Sequence, residues 1–273
     1  MTDILTQLNE AKAYIQQQTS TIPLVGVVLG SGLSNLSKEI KEEISIPYNL
    51  IPHFPVSTVE GHDGRLIIGS LKGKTIVAMA GRLHYYEGYT INQVVFPIRL
   101  MKWLGIEYIL ISNAAGGMNK NFKVGDLMVI QDHISFFTIN PLIGRNIASF
   151  GPRFPDMSEP YDTSLINKAF NIAKQHDIHL QKGVYAGVTG PTFETRSEYK
   201  LLHIIGADAV GMSTVPEVIV ARHMNIKVFA MSVITDLGIR EEENIITHQE
   251  VLEAATTAEP KLTTIFSNLI DVL

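Results

Sequence analysis

Eight short runs rich in β-branched residues punctuate this chain, and several of them, such as PLVGVVLG (23–30), TIVAMA (75–80), YILIS (108–112) and IKVFAMSVIT (226–235), are apolar almost without interruption. A strand with one wet face alternates apolar and polar side chains; a run with no alternation belongs to a strand covered on both sides. The others are RLIIGSL (65–71), LMVIQDH (127–133), GVYAGVTG (183–190) and DAVGM (208–212). Between them, helical periodicity marks about 92–104, 162–176, 195–205, 215–224 and 247–271. Strands interleaved with helices predict an α/β fold, with a central mixed, largely parallel β-sheet flanked by helices. The Lys72-Gly73 pair between two of the runs predicts a hairpin, hence some antiparallel pairing.

At 273 residues, 45% hydrophobic and 18% charged, the chain suits a single domain over 1–273 with one continuous core. A net charge of −5 and the lack of a clustered basic face argue against a nucleic-acid partner. With no cysteine, disulfides and thiolate zinc sites are excluded and a cytoplasmic location is expected. The first twenty residues read as an amphipathic helix carrying Ile4, Leu5, Leu8, Ala11 and Ile15, not as a secretory signal, and no apolar stretch is long enough to cross a membrane. Residues 136–160 hold four prolines and little periodicity, which marks a lid or an interface.

Chemistry concentrates in a few stretches. VVLGSGLS (27–34) runs a strand into a small-residue turn where backbone N–H groups and Ser31 can meet an anion; it lacks the lysine of a Walker loop and the third glycine of a dinucleotide turn. In GRLHYYEGY (81–89), an extended backbone puts Arg82, His84 and Tyr86 on one side, a donor-rich face, and Glu87 can hold His84 in one tautomer and raise its proton affinity. His62 sits in a glycine-flanked loop, and SNAAGGMN (112–119) ends a strand in small residues, where the backbone at Ala114 can approach a ligand. In GPTFETRSEYKLL, Phe193 beside Glu194 suits a planar heterocycle bearing an N–H, and Thr195 with Glu198 starts a helix. In GMSTVPEVIVARH, Met212, Ser213 and Thr214 precede the positive end of another helix, with Thr214 a candidate N-cap. The histidines show no metal-ligand pairing, so no metal is expected.

Taken together, GSGLS, GRLHYYEGY, NAAGGMN, GPTFET, GMSTVPEVIVARH and SVITD resemble the trimeric, low-molecular-mass purine nucleoside phosphorylases over about residues 24–250. The resemblance implies an α/β homotrimer that splits purine nucleosides with orthophosphate, a co-substrate and not a cofactor. It assigns phosphate to Ser31, His62, Arg82, His84, Ala114 and Ser213. The pentose falls to Tyr86, Met212 and His248, with Phe154 reaching in from a neighbouring subunit. The base falls to Tyr185, Phe193, Glu194, Thr235 and Asp236. His84, Glu87, Glu194, Asp236 and His248 form the catalytic group. One departure stands out: 6-oxopurine members usually carry asparagine where this chain has Asp236, and a lysine where it has Leu237. Burial that keeps Asp236 protonated makes it a donor to N7. Aspartate there also occurs in methylthioadenosine phosphorylases, so a 6-aminopurine nucleoside stays an alternative to inosine and guanosine. Rival readings of another class are a nucleotide-dependent oxidoreductase and a non-catalytic nucleoside binder.

Overall fold

The computed structural model describes residues 3–30, 35–59, 63–137, 139–239 and 247–273. Among them, helix α1 (Ile4–Gln16) buries Leu8, Ala11 and Ile15, the stripe its periodicity predicts. Strand β1 (Val25–Leu29) is buried at every residue. After the short α2 (Leu36–Glu39) and β2 (Lys41–Pro47) come β3 (Arg65–Leu71) and β4 (Lys74–Ala80). Lys72 and Gly73 both take positive φ and join the last two as the expected hairpin.

The helix expected over 92–104 is two pieces, α3 (Ile91–Val94) and α4 (Phe96–Leu104). Pro97 has no N–H to give the preceding turn, so the chain restarts there with proline in the first helical turn. Next come β5 (Tyr108–Gly117), β6 (Leu127–Ser135), α5 (Thr163–Gln175), β7 (Leu180–Gly187), α6 (Arg196–Ile204), β8 (Ala209–Gly211), α7 (Val215–His223), β9 (Lys227–Leu237) and α8 (His248–Asp271). All eight apolar runs are strands. Each buried Val, Leu or Ile side chain in them is worth about 1.5–3 kcal/mol relative to exposure.

Among the described residues nine strands pair in the order β2-β3-β4-β1-β5-β8-β7-β6-β9, and β9 pairs again with β5, so five of them close into a ring. Parallel pairs are β1–β4, β1–β5, β5–β9, β6–β7 and β7–β8; the rest are antiparallel, which is the mixed sheet expected. Strand β5 positions the site. One of its edges follows β9 from Tyr108 to Gly117, while the other pairs with β1 only as far as Ile111 and with β8 only from Gly116. Between those points one edge has changed partner, and the crevice of an open α/β sheet forms where the strands part company.

Candidate active site

A cleft opens at that parting of strands. It is lined by Arg82, His84 and Tyr86 after β4, Asn113 to Gly116 of β5, Phe193 and Glu194 before α6, Tyr199 on α6, Val210 and Gly211 of β8 with Met212 and Ser213 just after it, Thr235 and Asp236 of β9, and His248 and Val251 of α8. Eleven of the residues proposed from sequence therefore meet in one place: Arg82, His84, Tyr86, Ala114, Phe193, Glu194, Met212, Ser213, Thr235, Asp236 and His248. Ser31 and His62 lie outside the described residues.

One end of the cleft holds a locked guanidinium. Arg82 is only 1% exposed. Its Nε and Nη2 donate to the Glu217 carboxylate at 3.3 and 2.7 Å, and its Nη1 donates to the Ser112 carbonyl at 2.6 Å. Glu217, itself buried in the first turn of α7, is a partner of the site that the sequence reading missed; an acid in a first helical turn reads as a partner for the helix dipole. The planar fork of Arg82 is expected to meet an anion, but its Nε and Nη2 serve Glu217 and its Nη1 also serves the Ser112 carbonyl.

Residues 81–87 are also not one extended run. β4 stops at Ala80, and Tyr85–Glu87 form a 3-10 turn with His84 and Glu87 as its capping box. Tyr86 reaches the cleft by stacking on His84 at 4.8 Å between ring centres. Glu87 accepts from the His84 backbone N–H (2.6 Å) and from the Thr58 N–H and hydroxyl (2.6 and 2.7 Å), with its other contact to His84 Nδ1 at 3.3 Å. Burial alone pushes the Glu87 carboxyl up, but these hydrogen bonds outweigh it and bring it down to about 2. His84 moves against expectation: Glu87 does favour its protonation, yet burial is larger and Arg82 adds to it, so the imidazole titrates below its usual value.

Ser213 and Thr214 face this end from the mouth of α7. Thr214 stands at the N-cap position of α7, but its side chain makes no capping hydrogen bond. Its φ of 66° and ψ of −55°, with Val215 N–H donating to the Ser213 carbonyl at 2.7 Å, make a tight three-residue turn of the strained kind, which costs about 1–3 kcal/mol. Asn113 Nδ2 holds the Thr214 hydroxyl at 2.8 Å, so β5 braces the turn. Ser112 Oγ likewise accepts from the Gly30 N–H at 3.1 Å and ties the end of β1 to β5 just before Ser31.

The other end is acidic. The Thr195–Glu198 capping box starts α6 as predicted and leaves Glu194 at the cleft. Burial raises the Glu194 carboxyl above its usual value, and Asp236 and Glu198 push the same way. Asp236, nearly buried, accepts from the Tyr199 hydroxyl on Oδ2 at 3.1 Å and from the Thr235 hydroxyl on Oδ1 at 3.2 Å.

Two residues proposed for the base or sugar stand elsewhere. Tyr185 is fully buried behind the wall, its hydroxyl 3.4 Å from the Ser213 N–H and under Gly211, so in this structure it supports the cleft without lining it. Phe154 is 87% exposed and lies in a separate depression with Arg153 and Ile143. Among the described residues, no group of three histidine or carboxylate side chains is placed to hold a metal ion, and no helix is long and apolar enough to cross a membrane.

The family profile described as Phosphorylase superfamily matches residues 24–271. Purine nucleoside phosphorylase 1 of Bacillus subtilis is 50% identical over 247 residues, covering 90% of this chain and 91% of that protein. Isoform 2 of the Schistosoma mansoni purine nucleoside phosphorylase, solved with cytosine and ribose-1-phosphate, superposes with a TM-score of 0.93 at 45% identity over 98% of this chain and 96% of that one. A schistosoma purine nucleoside phosphorylase solved with hypoxanthine gives 0.94 at 38% identity over 100% and 99%. Neither an oxidoreductase nor a bare binding module accounts for likeness of that extent: this chain is a member of the phosphorylase superfamily and, within it, of the purine nucleoside phosphorylases.

Proposed function

We propose that this pentosyltransferase acts on 6-oxopurine ribo- and deoxyribonucleosides such as inosine and guanosine, releasing the free base and the pentose 1-phosphate in purine salvage. The observation that carries the reading is the pairing, in one cleft, of a locked guanidinium end with a carboxylate, Glu194, at the other end. A carboxylate accepts the N1–H of a 6-oxopurine, whereas adenine presents a lone pair at N1 and repels it.

Orthophosphate is held by Arg82, His84, the Ala114 backbone and Ser213, with Ser31 and His62 completing the set. With Nδ1 of His84 turned to the Glu87 carboxylate, the neutral ring offers Nε2 as an acceptor, which suits the hydroxyl of monohydrogen phosphate. The pentose rests on Tyr86, Met212 and His248. Phe193 stacks on the base, and Thr235 and Asp236 stand at N7. As the bond from C1′ to N9 breaks, its electron pair moves onto the purine while positive charge grows on the sugar. Phosphate stabilises that charge and closes on C1′ from the opposite face. Asp236, as the neutral acid, gives its proton to N7 so that the base leaves uncharged.

The assembly proposed is a cytoplasmic homotrimer in which Phe154 closes the neighbour's sugar site. Its support is the run of exposed apolar side chains Phe136, Ile139, Ile143 and Phe154 on one irregular segment. Sedimentation equilibrium then gives three times the 30.2 kDa chain.

Asp236 also supports a second reading, in which a 6-aminopurine nucleoside such as adenosine or its methylthio derivative is preferred. Turnover of inosine, guanosine, adenosine and methylthioadenosine, each with and without phosphate, decides between them. The expected result is phosphate-dependent release with inosine and guanosine ahead; adenosine ahead of inosine overturns the choice.

A further inference from the structure

Tyr199 sits inside the GPTFETRSEYKLL stretch but drew no role there, yet its hydroxyl lies between the two carboxylates of the base end. The ring is 3% exposed and occupies room that two glycines leave. A Cβ on Gly238 would stand 2.0 Å from the ring, and one on Gly116 would stand 2.7 Å from the hydroxyl and 3.0 Å from Asp236 Oδ2. The hydroxyl donates to Asp236 Oδ2 at 3.1 Å and is within hydrogen-bonding reach of Glu194. The other oxygen, Oδ1, faces Thr235, whose hydroxyl has a choice of acceptors: Oδ1 at 3.2 Å or the Ala115 carbonyl at 3.4 Å. The titratable groups around Tyr199 are Asp236 from β9, Glu194 before α6 and Glu198 on α6, with His248 of α8 in the same cleft.

We infer that Tyr199 is a positioning residue for departure of the base: it orients the Asp236 carboxyl and stabilises the carboxylate formed when that group gives up its proton. The inference rests on the reading of Asp236 as the N7 acid. Before the reaction, Oδ2 is the carbonyl oxygen held by Tyr199 and Oδ1 carries the proton, while the Thr235 hydroxyl points to Ala115. As the C1′–N9 pair moves onto the purine, the Oδ1 proton passes to N7. The new carboxylate then has a donor for each oxygen, Tyr199 on Oδ2 and Thr235, turned from Ala115, on Oδ1. The hydrogen bond from Tyr199 thus strengthens as charge develops, which is the kind of contact that raises kcat and not affinity. Burial, together with Asp236 and Glu194 nearby, keeps the Tyr199 hydroxyl far from ionising, so it stays a donor throughout. Solvent returns the proton to Asp236 after the base departs.

The test is Tyr199→Phe, which keeps the ring in its glycine-lined slot, assayed on inosine with saturating phosphate. A fall in kcat of about 10- to 100-fold, with KM for inosine within about threefold, is expected from loss of one hydrogen bond to a developing charge. Losing a donor to the carboxylate raises the Asp236 pKa, so the alkaline limb of the kcat profile moves to higher pH even as the rate falls. Thr235→Val removes the second donor and moves the limb the same way. In the Asp236→Asn background, where an amide donates with no change of charge, Tyr199→Phe alters kcat by less than about threefold. Equal losses in both backgrounds, or a loss confined to KM with the limb unmoved, overturn the inference and leave the acid reading standing. A pH profile that Asp236→Asn does not alter brings down the acid reading, and the inference with it.

Discussion

The two ends of the cleft are held in opposite ways. At the Arg82 end the charged groups are matched: a buried guanidinium lies on Glu217, and Glu87 is drawn down to about 2 by donors from His84 and Thr58. At the Glu194 end two carboxylates share one tyrosine, and burial drives Glu194 toward its protonated form. The difference follows from what each end is proposed to hold. Phosphate arrives charged and leaves charged, so a fixed cradle serves it. A purine gains charge as it departs, so its site needs groups whose protons move within the working pH range.

Breaking the matched end gives the largest effect. Glu217→Ala leaves Arg82 buried without its carboxylate, a change that costs about 3–5 kcal/mol; urea unfolding shows it as a lowered midpoint, and phosphate KM rises as well. A loss under about 1 kcal/mol contradicts the lock. Glu194→Gln works the other way: kcat/KM for inosine falls by about 10- to 100-fold, the worth of a hydrogen bond to a charged group. Phosphate KM stays within about twofold, and the melting temperature holds or rises, because a half-buried carboxylate that resists ionising has been removed.

A pH titration sharpens the contrast. The Glu194 carboxyl titrates above its usual value, so the ionised form that accepts N1–H is lost as pH falls through that raised value, and kcat/KM for inosine drops on the acid side while still above the ordinary carboxylate range. Glu87, depressed to about 2, is already ionised there and adds no limb. In Glu194→Gln the acid limb disappears. The smallest effect belongs to Thr58→Val, which removes one of the donors to Glu87: a stability loss of about 1 kcal/mol and a phosphate KM two- to threefold higher.

Strands written in unbroken apolar letters were legible because burial on both faces leaves no other pattern. β2 escaped notice for the converse reason: KEEISIP is an edge strand whose charged residues face water, and charges there discourage pairing with another chain. Site residues in glycine-flanked motifs were legible through local chemistry. Glu217, Asn113 and Tyr199 were not, since an acid in a first helical turn, an asparagine ending an apolar strand and a tyrosine on a helix each have an ordinary structural use. Their roles arise from pairing across the sheet, which spacing along the chain does not encode. Ser-Thr before Val-Pro does place Thr214 at the N-cap position, but its hydroxyl takes a hydrogen bond from Asn113 and caps nothing, a cross-sheet contact that local sequence does not encode.

The most direct test of the opposed ends is a crystal structure of the protein with phosphate and hypoxanthine bound together. The account predicts the oxyanion within hydrogen-bonding distance of Arg82, His84 and Ser213, with hypoxanthine N1 on Glu194 and N7 on Asp236. An oxyanion away from Arg82, or a base turned so that N7 meets Glu194, contradicts it.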